Sequence, residues 1–216
     1  MKMYLRSLTL AFVLLPIMAS AQTISEANVA KVKLKIVESE DRFTGLKTIT
    51  AKSCIHLNQS GMLTDLYLCP AIASKPNQPL VMYARGDYTG YGWAFLTGQA
   101  QFLIDGKQYS AQGTARPEEK RVATCSGNVG CINKETARFS MTEELATAIA
   151  NARDAEVRFV GRQGSVTGRL NAKHVAYFRE MLRRYKTLGG VFESASTANE
   201  GTLEVNTSES ENKVKN

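Results

Sequence analysis

An α+β fold, mostly antiparallel β-sheet with two helices near the C-terminal end, is what this sequence predicts. Three observations carry it. Apolar residues alternate with polar ones through much of the first two thirds of the chain. Turn signals such as Asp105-Gly106 punctuate that region. Beyond Thr142 the apolar period lengthens to that of a helix. A β-sandwich or open barrel decorated by helices is the alternative arrangement.

Lys31 to Ile36 alternates strictly and predicts a first strand, with Val32, Leu34 and Ile36 inward and three lysines outward. Leu46 to Ile55 and Asp65 to Ile72 read as strands separated by the turn-rich Asn58-Gln59-Ser60-Gly61. Leu80 to Ala84 is another. Trp93 to Ile104 is rich in β-formers and returns through Asp105-Gly106 into Lys107 to Gln112. Arg116 to Lys120 is a polar loop with Pro117, and Ala137 to Ser140 a short strand. Thr142 then caps a helix with Glu143 and Glu144 in its first turn. Leu145, Ala148, Ile149 and Ala152 form its apolar stripe. Glu156 to Arg162 and Ser165 to Leu170 make a hairpin across Gln163-Gly164. Asn171 caps the second helix, Ala172 to Thr187, and Gly189-Gly190 ends it.

Lys2, Arg6, the apolar run Leu8 to Met18 and the small residues Ala19-Ser20-Ala21 read as a signal peptide over residues 1–21. No later stretch is long enough to span a bilayer as a helix. Residues 22–193 form the secreted domain. Residues 194–216, rich in Ser, Thr, Asn and Glu, read as a disordered polar tail. The chain carries a formal charge of +7; leader and tail offset one another, so the body is basic and favours anionic partners. A periplasmic or secreted location places Cys54, Cys69, Cys125 and Cys131 in an oxidising compartment. Their spacing lacks Cys-x-x-Cys and does not suit zinc. The two local pairings, Cys54–Cys69 and Cys125–Cys131, are expected. The second encloses the turn-forming Ser126-Gly127-Asn128-Val129-Gly130.

The expected hairpin register sets Arg158 directly across from Arg169, with Arg162 farther along the same face. Like charges so placed destabilise a sheet unless an anion or an acidic neighbour compensates them. Guanidinium groups suit carboxylate and phosphate. Arg158, Arg162 and Arg169 therefore form a candidate anion-contacting face, and Arg179 and Arg183 on the second helix extend it. Tyr88, Tyr91 and Trp93 interleave with glycines. They read as a hairpin packed into the core, with a loop that stacks sugars or peptide aromatics as the alternative.

Catalytic motifs are missing: no Gly-x-Ser-x-Gly, Walker loop, His-Glu-x-x-His or dinucleotide fingerprint occurs. His56 and His174 read as non-catalytic, and Asp65, Asp87 and Asp105 as turn residues. No metal or cofactor is expected, and nucleic acid is not specifically indicated. The expectation is an exported, non-catalytic binding protein of the envelope or extracellular space, contacting an anionic macromolecule or protein partner. A periplasmic inhibitor or adaptor, or a small hydrolase without a recognised motif, is the alternative.

Overall fold

The computed structural model describes residues 23–57, 64–113, 122–126 and 130–192. The expected leader, the tail, the turn at Asn58, the loop at Arg116 and the centre of the Cys125–Cys131 turn lie outside them. Among the described residues a short helix α1 (Glu26–Ala30) is followed by eleven strands and two further helices. The strands are β1 (Ile36–Asp41), β2 (Leu46–Ala51), β3 (Ile55–His56), β4 (Thr64–Ser74), β5 (Val81–Gly90), β6 (Leu96–Ile104), β7 (Lys107–Gln112), β8 (Val122–Ser126), β9 (Gly130–Ser140), β10 (Ala155–Gly161) and β11 (Gly164–Arg169). Helix α2 (Glu143–Ala150) precedes β10, and α3 (Ala172–Thr187) ends the described fold. Every strand pairing is antiparallel. The fold is α+β, with its two longer helices toward the C-terminal end.

The strands form two sheets. One runs β1-β2-β4-β5-β9-β8 with β3 also on β4; the other runs β11-β10-β6-β7. Their inner faces meet at Phe139 and Phe159, whose rings stack 5.2 Å apart. Gly86 lies at this contact. A Cβ there would stand 2.7 Å from Phe159 and 2.8 Å from Phe139, so only glycine lets the sheets approach. Helix α3 contributes Val175, Phe178, Met181 and Tyr185 to the same buried cluster, and Tyr177 packs on Ala51 and Ile55. Outward residues such as Arg85, Arg138 and Arg158 are exposed.

Local chemistry accounts for most elements. Thr142 Oγ1 accepts from Leu145 N at 3.2 Å and starts α2. Asn171 accepts from Lys173 N and His174 N and starts α3. Asp105 and Gly106 take positive φ in the β6–β7 turn, as a tight hairpin requires. The lysine-rich segment is a correction: β1 begins at Ile36, where the expected strand ended. Ser25 starts a helix instead, and the backbone of Lys35 bonds the Tyr177 hydroxyl at both its N–H and its carbonyl. The aromatic segment is another. β5 runs on to Gly90 and β6 starts only at Leu96, so Trp93 lies in a loop. Asp65 and Asp87 are strand residues, not turn residues.

His174 is fully buried and ties α3 to β3. Its Nδ1 accepts from Asn171 N at 3.1 Å, which leaves Nε2 to donate to the Ile55 carbonyl at 3.2 Å. Burial, assisted by the charges of Lys173 and His56, holds the imidazole neutral, with its pKa pushed down to about 3.

Candidate functional site

The hairpin register differs from the expected one. Gly161 pairs with Gly164, so the two-residue turn is Arg162-Gln163. Arg158 faces Thr167 on β11 and Gln101 on β6, while Arg169 faces Glu156. The cause is glycine placement. Gly161 is pressed against the Ala94 carbonyl, where a Cβ would come within 2.2 Å of the oxygen. Gly164 closes the turn at φ +134°.

The five arginines accordingly separate. Arg169 pairs with Asp154. Arg179 makes a two-pronged pair with Glu26, at 2.9 and 3.0 Å, and also bonds the Ala150 carbonyl, fastening α1 and α2 to α3. Arg183 bonds Glu180 through both Nε and Nη2. With Arg184 alongside, it holds the Glu180 carboxyl down at about pKa 2. Each of these three is paired with a carboxylate. Arg158 and Arg162 are exposed and have no side-chain partner among the described residues.

The juxtaposition expected on the hairpin occurs on the other sheet. Arg85 of β5 stands directly across from Arg138 of β9, both on the outer face of the seven-stranded sheet. Arg85 is partly compensated: its guanidinium lies 3.0 Å from Asp87, which also accepts from Thr136 Oγ1 at 2.9 Å. Arg138 has no carboxylate partner among the described residues. It rests over the Tyr83 ring, 5.5 Å from the centroid. Lys134, one strand repeat beyond Thr136, lies on the same face.

Two adjoining depressions follow this face. One, of about 480 Å³, is bordered by Lys75, Gln78, Tyr83, Arg138 and Ser140. The other, of about 900 Å³, is bordered by Lys52, Cys54, Arg85, Asp87 and Lys134; Thr136 borders both. Alternation explains the separation of roles along β5 and β9. Gly86, Ala137 and Phe139 point into the core, while the residues between them carry charge outward. The Cys54–Cys69 disulfide is formed and anchors the segment leading to β3 beside Arg85, whose Nη2 is 2.7 Å from Cys54 Sγ. Cys125–Cys131 is formed across β8 and β9.

The expected aromatic group divides as well. Tyr88 is buried in the core and donates to the Gly92 carbonyl at 2.9 Å. Tyr91 is 49% exposed, and Trp93 is partly exposed with its ring 6.0 Å from Phe95. Sequence reading missed what holds this loop. Glu135, 2% exposed, accepts from the backbone of Ala94, Phe95 and Leu96 at 2.6, 3.0 and 2.8 Å. Asn133 supports Tyr91 O through Nδ2, while its buried Oδ1 meets no partner among the described residues. A buried acid at an inward position of an alternating strand was the available signal for Glu135.

His56 Nε2 lies 3.2 Å from Asp65 Oδ1, at the rim of the larger depression, and meets no hydroxyl among the described residues. No group of three His, Cys, Asp or Glu among those residues could hold a metal. No helix among them is long and apolar enough to cross a membrane. Comparison with family models, curated proteins and solved structures finds no match to this chain.

Proposed function

We propose that this is an exported binding protein of the periplasm or extracellular space, which engages an anionic partner on the outer face of its seven-stranded sheet. The observation that carries the reading is Arg138 opposite Arg85. Two guanidinium groups on neighbouring strands repel, and a bound carboxylate or phosphate relieves that repulsion. Arg138 is already oriented by Tyr83, so little ordering accompanies contact. Lys75, Lys52 and Lys134 surround the depressions and draw anions toward them. The two disulfides suit an oxidising compartment.

The test uses a fluorescent polyglutamate peptide and phosphatidylglycerol vesicles, each titrated with the oxidised protein at low and high salt. Binding that weakens with salt, and that falls about tenfold or more in Arg138→Glu, supports the reading. Equal binding by Arg138→Glu and the parent protein overturns it.

A further inference from the structure

We propose a second binding site, for an acidic saccharide, where the Trp93 loop meets the outer face of the four-stranded sheet. This goes beyond the Arg85–Arg138 reading and stands without it.

The loop is built to be rigid. A buried carboxylate accepting three successive N–H groups is a costly arrangement to keep unless the loop conformation matters. Phe95 is held at φ +53°, the left-handed region that a bulky side chain rarely adopts. Strain of this kind is retained where surrounding structure over-determines it, and it clusters at ligand contacts. What the loop presents is aromatic: Trp93 and Phe95 tilted 39° to one another, with Tyr91 nearby in sequence.

A cation stands beside it. Arg162 N donates to Phe95 O at 3.0 Å and Gln163 N to Ala94 O at 3.2 Å, so the β10–β11 turn is fastened to the aromatic loop. The Arg162 side chain is exposed and has no partner among the described residues. From the loop, β6 leads through Thr97 to Gln99 and Gln101, all on the outer face. Gln99 pairs with Gln112, and Gln101 lies between Ser110 and Arg158. This surface carries amides and hydroxyls with a second unpaired guanidinium set in it, and Glu156 lies two positions beyond Arg158, on the side away from the loop.

The chemistry selects the ligand. An aromatic ring face accepts the C–H face of a pyranose, amides and hydroxyls pair with its hydroxyl edge, and separated guanidinium groups pair with single carboxylates. A nucleic acid strand also stacks on aromatics, but it needs a continuous cationic track for its phosphates. Here Gln99, Thr97, Ser165 and the apolar Val160 occupy the positions between Arg158 and the loop.

Trp93 is the sole tryptophan of the chain, so intrinsic fluorescence reports from the site itself. The protein is titrated with a galacturonic acid hexamer, cellohexaose and a thymidine hexanucleotide, with calorimetry in parallel. The expected result is a saturable fluorescence change with the acidic hexamer. Its affinity, read at Trp93, should fall about tenfold in Arg162→Gln, a substitution at an exposed turn position that removes no hydrogen bond. The proposal is overturned by absence of a saturable change, by equal affinity for cellohexaose, by tighter binding of the hexanucleotide, or by unchanged affinity in Arg162→Gln.

Discussion

The two sheets carry arginines on neighbouring strands and treat them differently. On the four-stranded sheet Arg169 faces Glu156 and reaches Asp154, so its charge is absorbed by the fold. On the seven-stranded sheet Arg138 faces another arginine and leans on a tyrosine. The residue type is the same and only the neighbours differ. An arginine indicates an anion site when its cross-strand partners fail to neutralise it, not by being an arginine in a strand. The same measure divides the hairpin itself: Arg158 is set between Thr167 and Gln101, two strand positions from Glu156, and stays unpaired.

The largest expected effect removes a support on which the open face rests. His174 holds β3 beside the larger depression and is neutral in the fold. Its folded pKa, about 3, lies below the ordinary 6.5, so the unfolded chain binds the extra proton. The stabilisation is complete above pH 6.5 and is lost progressively as pH falls toward 3, by on the order of 4 kcal/mol. Glu180, held down to about 2, adds loss in the same direction only below its ordinary 4.5. Urea unfolding between pH 6.5 and 4.5 therefore isolates the histidine. His174→Gln, which keeps a donor for the Ile55 carbonyl, should flatten that slope.

Next comes the support of the other side. Glu135→Ala leaves three N–H groups, two of them buried, without this acceptor and should cost roughly 3 kcal/mol in urea unfolding. Trp93 emission should shift before global unfolding, because the loop is released first. A single concerted transition with unchanged stability would contradict the role given to Glu135.

Charge reversal at Arg138 sharpens the comparison directly. Arg138→Glu converts a repelling cross-strand pair into an attracting one. Melting should show a gain of about 0.5 kcal/mol while anion binding falls. Stability and binding moving in opposite directions is the signature of a site whose cations are held against their own repulsion. The smallest effect is on the compensated side. Asp154→Asn frees a partly exposed Arg169, for a loss of roughly 0.5 kcal/mol or less. A low-salt retention assay on an anionic resin should show a modest gain as the guanidinium becomes available.

The hairpin shows how much of the site was legible. Its two strands and the outward face of Arg158 and Arg169 follow from alternation. The error was a register shift that preserves parity, so each side chain keeps its face and changes every neighbour. Turn chemistry favoured Gly164 inside the turn, but Gly161 is also required, against the Ala94 carbonyl. That contact joins strands remote in sequence. The local pattern at Trp93 continues into β6 and predicts strand. Glu135, from another strand, bends the segment into a loop by capturing its N–H groups.

The sequence by itself determined the α+β class, the bounds of α3, the Asp105-Gly106 hairpin and the two local disulfide pairings. Each depends on residues close together in the chain, where capping, turn preference, apolar period and short loop closure act. Tertiary structure alone decided which strands became neighbours, and so which charges were neutralised. Arg85 and Arg138 lie far apart in sequence, and no local preference of either residue encodes their meeting. The pairing of β5 with β9 follows from burying Gly86, Ala137 and Phe139 against Phe159, and the arginines on the opposite face are carried into register by that core.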